Sequence, residues 1–170
     1  YRVQSMSLLH QSLYLNEDLN SIHIKKYFEE LALSLVKGFP LFGKEVNLIL
    51  DVEDLQLDVD VVVPMGLIAN ELITNSLKYA YENIDRCELR FSIKESDDMV
   101  RLIVKDNGKG ISFTELPDRS SSMGMQLIKS FANKIKAKVE IDNFQGTEFK
   151  FTFAKPNVKS NLKVIKNVAS

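Results

Sequence analysis

On either side of Ser96-Asp97-Asp98, apolar residues recur at every second position: Leu89, Phe91 and Ile93 before it, Val100, Leu102 and Val104 after it. Alternation of period two lines one face of a strand. A short polar break between two such runs is the pattern of an antiparallel hairpin. The alternation returns in Val46, Leu48 and Leu50, in Val139 and Ile141, and in Phe149, Phe151 and Phe153. Stretches with apolar residues three and four apart, at 25–37, 61–81 and about 123–136, separate these runs and read as amphipathic helices. One covered face on strands joined by tight turns implies a mixed, mostly antiparallel sheet. The fold class is therefore α+β, a two-layer sandwich with helices on one side of the sheet.

A helical stripe of Val3, Met6, Leu9 and Leu13 precedes this unit and ends near Asn16-Glu17-Asp18; residues 21–24 form an extended connector. In the helix over 25–37, Tyr27, Phe28, Leu31, Leu35 and Val36 face inward, Gly38 takes the C-cap position and Pro40 prevents continuation. The strand over 45–52 turns at Glu53-Asp54 and has a short continuation in Leu55 and Leu57. Pro64 is tolerated because it falls in the first turn of the helix over 61–81. The polar stretch 112–122 reads as a mobile loop, and no element is assigned to 157–170.

A chain of 170 residues, 45% hydrophobic with net charge −1, suits one globular domain with additions. Its charge balance gives no basic footprint for nucleic acid. No apolar run reaches membrane-spanning length and no signal peptide is visible, so a cytoplasmic location is expected for this segment, with the parent either soluble or membrane-anchored. The single cysteine, Cys87, excludes an internal disulfide framework, and with only His10 and His23 beside it gives no zinc set. Both histidines read as structural. A start at Tyr1 without methionine suggests a fragment with further sequence upstream.

Three places carry chemistry. Glu71, Asn75 and Lys78 are spaced four and three apart and stack along one stripe of their helix. Alone, this is a solvated polar face. Asp106-Asn107-Gly108-Lys109-Gly110 leaves a strand; its glycines allow close approach of another group, and a fixed Asp106 carboxylate can accept from an exocyclic amine. A tight turn explains it equally well. Ser120-Ser121-Ser122-Met123-Gly124-Met125 feeds a helix N-terminus, which favours an anion or is an ordinary serine cap. Gly146-Thr147 starts the last strand.

In order, 70–80, 106–110, Gly124 with its helix, and Gly146-Thr147 resemble the N, G1, G2 and G3 boxes of the ATP-binding domain of sensor histidine kinases, within the group that includes Hsp90-, MutL- and gyrase-type ATPases. The resemblance spans about 46–153. Residues 2–14 and Tyr27-Phe28-Glu29-Glu30-Leu31 resemble the segment after the phosphoacceptor helix in HisKA_2/HWE-like kinases, where the first helix would be the second arm of a dimerisation hairpin. This implies a Bergerat-type ATP-binding fold over 41–156, the end of the dimerisation region over 1–40 and a tail over 157–170. It also implies that Asn75 ligates Mg²⁺ on the ATP phosphates, with Asn70 close by. Glu71 would polarise the attacking histidine, Lys78 contact phosphate and Tyr79 border the nucleotide. Asp106 would bind the adenine amine, with Gly108 and Gly110 seating base and ribose and Ile111 among the contacts. Gly124, flanked by Met123 and Met125, would meet phosphate, and Thr147 would support the adenine pocket.

The pattern departs from the family in three ways. The stretch between Gly110 and Gly124 is short and has no clear F box, implying an abbreviated ATP lid. Gln145 replaces a second glycine in the third box, implying a stiffer turn. No phosphoacceptor motif is present, because His10-Gln11-Ser12-Leu13-Tyr14 does not resemble one. The expected protein is the ATP-binding catalytic fragment of a two-component kinase that phosphorylates a histidine upstream, homodimeric in its parent and partnered by a response-regulator receiver domain. An anti-sigma-factor-type serine kinase and a non-catalytic nucleotide-binding regulatory module are the alternatives.

Overall fold

A computed structural model describes residues 21–39, 44–111 and 122–155. The expected helix over 2–14, the loop positions 112–121 and the tail 157–170 lie outside the described residues. In chain order the elements are β1 Ser21–His23, α1 Ile24–Gly38, β2 Val46–Val52, β3 Gln56–Asp58, α2 Val59–Asn75, β4 Cys87–Ser96, β5 Met99–Asp106, α3 Met123–Lys134, β6 Lys138–Asp142 and β7 Thr147–Ala154. Ser76–Ala80 form a π-helical turn on the end of α2.

The main sheet has the order β2-β4-β5-β7-β6. β2 and β4 are parallel because α2 crosses over between them, and every other pairing is antiparallel. The register turns the alternation of the sequence into rows. Leu50, Phe91, Val104, Phe149 and Ile141 cross all five strands on one face, and Val52, Ile93, Leu102, Phe151 and Val139 form the next row. A third row, Leu48, Leu89, Asp106 and Thr147, lies on the same face at the end of β5. There the apolar surface gives way to a carboxylate and a hydroxyl.

The helices cover this face. In α1 the buried residues Ile24, Tyr27, Phe28, Leu31, Ala32 and Leu35 follow helical spacing. Phe28 stacks on Phe91 of the sheet with centroids 5.7 Å apart. α2 is buried on nearly every side, which marks it as the central helix. Pro64 therefore lies in its second turn, not its first: the helix starts two residues earlier than expected, where Asp58 Oδ1 caps the Asp60 N–H at 2.8 Å. The ring deprives the exposed Asp60 carbonyl of a helical donor, and water can replace it. α3 packs on α2 through Ile128 and Ala132.

Three further expectations are corrected. Leu55 and Leu57 do not continue β2; β3 pairs antiparallel with β1 in a separate two-stranded sheet, Ile22 opposite Leu57. Gly38 is the last helical residue, with Phe39 as the cap. α3 ends at Lys134, two residues short of the expected end. Lys136 takes φ 54°, donating to Asn133 O at 3.0 Å, while Ala137 N donates to Ala132 O at 2.9 Å. That is a Schellman stop with lysine where glycine is usual.

Candidate functional site

Asp106 is 4% exposed at the end of β5. Its Oδ1 accepts from the backbone N–H of Gly108 (3.0 Å) and of Thr147 (3.2 Å), and its Oδ2 from the Ser76 hydroxyl (2.7 Å). One carboxylate thus ties β5, β7 and the π turn together. Three donors satisfy its charge in a site that water barely reaches. Oδ2 keeps one acceptor direction.

The loop after Asp106 is clamped on two sides. Asn107 Oδ1 accepts from Glu88 N at 2.8 Å and its Nδ2 donates to Arg86 O at 2.7 Å, so this side chain serves β4. Lys109 N donates to Ala80 O at 2.9 Å, and a Cβ on Gly108 would collide with Ala80. Gly108 is thus demanded by close packing on the π turn. Gly146, at φ 109°, passes so near the Asp106 backbone that a Cβ would overlap its carbonyl. Tyr81 is buried behind this region, donating to Glu88 O at 2.9 Å. Burial, and then the negative charge of Asp106, hold its phenol well above the usual range, so it remains a neutral donor.

At the other end, Glu71 and Asn75 sit one helical turn apart on α2, beneath the first turn of α3. A Cβ on Gly124 would come within 2.8 Å of Glu71 Oε2 and 4.0 Å of Asn75 Nδ2. Ser122 Oγ accepts from Met125 N at 3.4 Å. The N–H groups of Met123 and Gly124 precede any intrahelical acceptor and provide the partial positive charge of a helix start.

One pocket of about 790 Å³ joins both ends. Of the expected residues, Glu71, Asn75, Lys78, Tyr79, Asp106, Gly110, Ile111, Met123, Gly124, Met125 and Thr147 border it. Gly108 and Asn70 do not. Asn70 is 2% exposed within the core, and among the described residues its Oδ1 has no hydrogen-bond partner. The pocket also has Ser76 and Lys109 on its wall. Ser76 carries the inward stripe of α2 on into the π turn, and a hydroxyl in an apolar register is the signal for it. Lys109 Nζ pairs with Glu82 at 2.7 Å and holds that exposed carboxyl below its ordinary range. His23 does not border this pocket; it lies on the surface, 3.4 Å from Asp54.

A cavity of this size, with the Asp106 carboxylate in one part of its wall and the α3 N-terminus beside Glu71 and Asn75 in another, suits a ligand with a hydrogen-bonding ring and a metal-bearing anionic tail. Among the described residues, no group of three or more His, Cys, Asp or Glu could hold a metal ion. Magnesium carried on a phosphate chain needs only one or two protein oxygens and keeps several waters. The Asn75 carboxamide beside Glu71 fits that demand.

By this fold and its two-ended pocket, the chain belongs to the histidine kinase-, DNA gyrase B- and HSP90-like ATPases, whose family model matches residues 60–157. Residues 1–39 match the histidine kinase family HisKA_2, and the two matches together make this a catalytic domain of the histidine kinase type. The sensor histidine kinase GraS of Staphylococcus haemolyticus is 28% identical over 179 residues, covering 88% of this chain and 49% of GraS. The chain thus spans about half the length of that relative. The anti-sigma F factor of Clostridium botulinum is 29% identical over 104 residues, covering 54% of this chain and 71% of the factor. The histidine kinase domain of the Erythrobacter litoralis EL346 blue-light activated kinase superposes with a TM-score of 0.82 at 17% identity, over 91% of this chain and 73% of that one. That likeness is one of fold. Among the described residues, no helix is long and apolar enough to cross a membrane.

Proposed function

We propose that the chain binds magnesium ATP in this pocket and donates the γ-phosphoryl group to a histidine elsewhere in the parent protein, for relay to a response-regulator aspartate. One observation carries the reading: Asp106, with one free acceptor direction, and the Glu71–Asn75 pair under the α3 N-terminus lie at opposite ends of one cavity. Asp106 accepts from the adenine amine, while Thr147 and Ser76 hold its carboxylate in place. Gly110 and Ile111 border the base end, with Tyr79 at the mouth. Lys78 and the first-turn N–H groups between Met123 and Met125, at Gly124, meet phosphate. Asn75 supplies the ligand to Mg²⁺, which when bound neutralises phosphate charge. Asn70 supports this end from within the core, and Gly108 shapes the base end through Ala80.

In the transfer, the acceptor imidazole nitrogen bonds to the γ-phosphorus as the bond to the bridging oxygen breaks, and ADP leaves with that oxygen. Glu71 accepts a hydrogen bond from the imidazole N–H and polarises the nucleophile. The remaining work is positioning and charge neutralisation, as phosphoryl transfer requires. A homodimeric parent supplies the acceptor.

Calorimetry with ADP and magnesium tests the pocket. The wild-type chain binds, and Asp106→Ala abolishes detectable heat; unchanged affinity would remove the base site from Asp106. In the parent protein, γ-labelled ATP yields an acid-labile phosphoprotein, and Asn75→Ala abolishes it while leaving the fold intact. An acid-stable product would instead favour serine phosphorylation, the reading motivated by the anti-sigma F factor match. The HisKA_2 match over residues 1–39 weighs against that second reading.

A further inference from the structure

The turn from β6 to β7 contributes a side chain that the nucleotide reading leaves unused. Asn143 follows β6 directly, and its Nδ2 donates to the Ile111 carbonyl at 2.7 Å across 32 residues of sequence. Ile111 borders the pocket, and its side chain packs against the core. The preceding Gly110 is at φ 78°, where a Cβ would lie 3.6 Å from Gly146 O and 3.9 Å from Asn143 O. Residues 110 and 111 are therefore laid along the β6–β7 turn and fastened there by one amide. The assignment of that amide is unambiguous, because a carbonyl partner requires the nitrogen to face it.

The other half of the amide points to function. Asn143 Oδ1 is buried and, among the described residues, has no hydrogen-bond partner. A lone buried acceptor destabilises a protein, and a residue selected for stability alone would be replaced by one without it. We propose that Asn143 is a positioning residue for the nucleotide, fixing Ile111 as the wall of the base end by its bond to the Ile111 carbonyl. The inference rests on the reading of the pocket as an adenine-nucleotide site. Asn143 does not border the pocket and acts through Ile111.

The test compares Asn143→Leu, which keeps the branching and number of heavy atoms and removes both donor and orphan acceptor, with Asn143→Ala, which truncates the side chain. ADP binding is followed by calorimetry, reading the dissociation constant and the number of sites separately, alongside thermal unfolding. Both variants should weaken ADP by about three- to tenfold, the range of one lost hydrogen bond, with an undiminished number of sites. Asn143→Leu should unfold close to the wild-type temperature, because removal of the orphan Oδ1 offsets the donor withdrawn from the Ile111 carbonyl. Wild-type affinity in Asn143→Leu, with loss only in Asn143→Ala, would show that filling space is the whole role and overturn the proposal. A fall in the number of sites at unchanged affinity would overturn it too, by showing a folding defect. A wild-type chain that takes up no ADP would overturn the nucleotide reading and this inference with it.

Discussion

Asp106 continues the series Val100, Leu102, Val104 at the same spacing, so a carboxylate occupies a core-facing register at the last residue of β5. Its retention there depends on donors, and the Ser76 hydroxyl is the side-chain one. Ser76→Ala should lower stability by about 1 kcal/mol, measured by urea unfolding, and weaken ADP severalfold because the carboxylate loses its lateral restraint. Equal affinity in the variant would show that Gly108 and Thr147 suffice. Gly146→Ala should be worse, at about 2 kcal/mol or more, since a Cβ there meets the Asp106 carbonyl at a backbone conformation that favours glycine. The inward register of Asp106 and Thr147 was legible from alternation alone. The Ser76 partnership was not, because Ser76 and Asp106 lie thirty residues apart and meet only when α2 packs on the sheet. The burial of Asn70 was not legible for the complementary reason: its place in the motif suggested the pocket wall, and the helix turns it into the core.

Among elements, faces were readable and ends were not. The buried sets of α1 and the strand rows follow from periods of 3.6 and two, whereas helix ends depend on local bonds that residue type encodes weakly. Lys136 halts α3 in a left-handed conformation that a sequence reader expects of glycine. Lys136→Gly should accordingly raise stability by about 0.5–1 kcal/mol, seen as a higher urea midpoint at unchanged slope. No gain would mean that the conformation carries little strain at this position. The β4–β5 turn makes the same point, with Asp97 at φ 53° and Asp98 at φ 59° in the two-residue hairpin. The separate β1–β3 sheet was hidden because each strand is three residues long, too short for alternation to be seen.

At the scale of the molecule, α1 shares one core with the sheet although it precedes the matched ATPase segment in the chain. Phe28 lies fully buried between Tyr27 and Phe91. Phe28→Ala should cost about 3–5 kcal/mol, and unfolding followed by far-ultraviolet dichroism and by tyrosine fluorescence should shift together. Separate transitions would mean that α1 melts independently of the sheet. Finally, the π turn at Ser76–Ala80 holds its residues in a wider coil than the α-helix before it. Chain length, beside the Ser76 hydroxyl, is what the contacts of this stretch depend on. A one-residue deletion within it would remove one step of the wider coil, so that a different residue would face Gly108 and the Lys109 N–H in place of Ala80. Along this stretch, substitutions should be graded in effect while insertions and deletions are all-or-none.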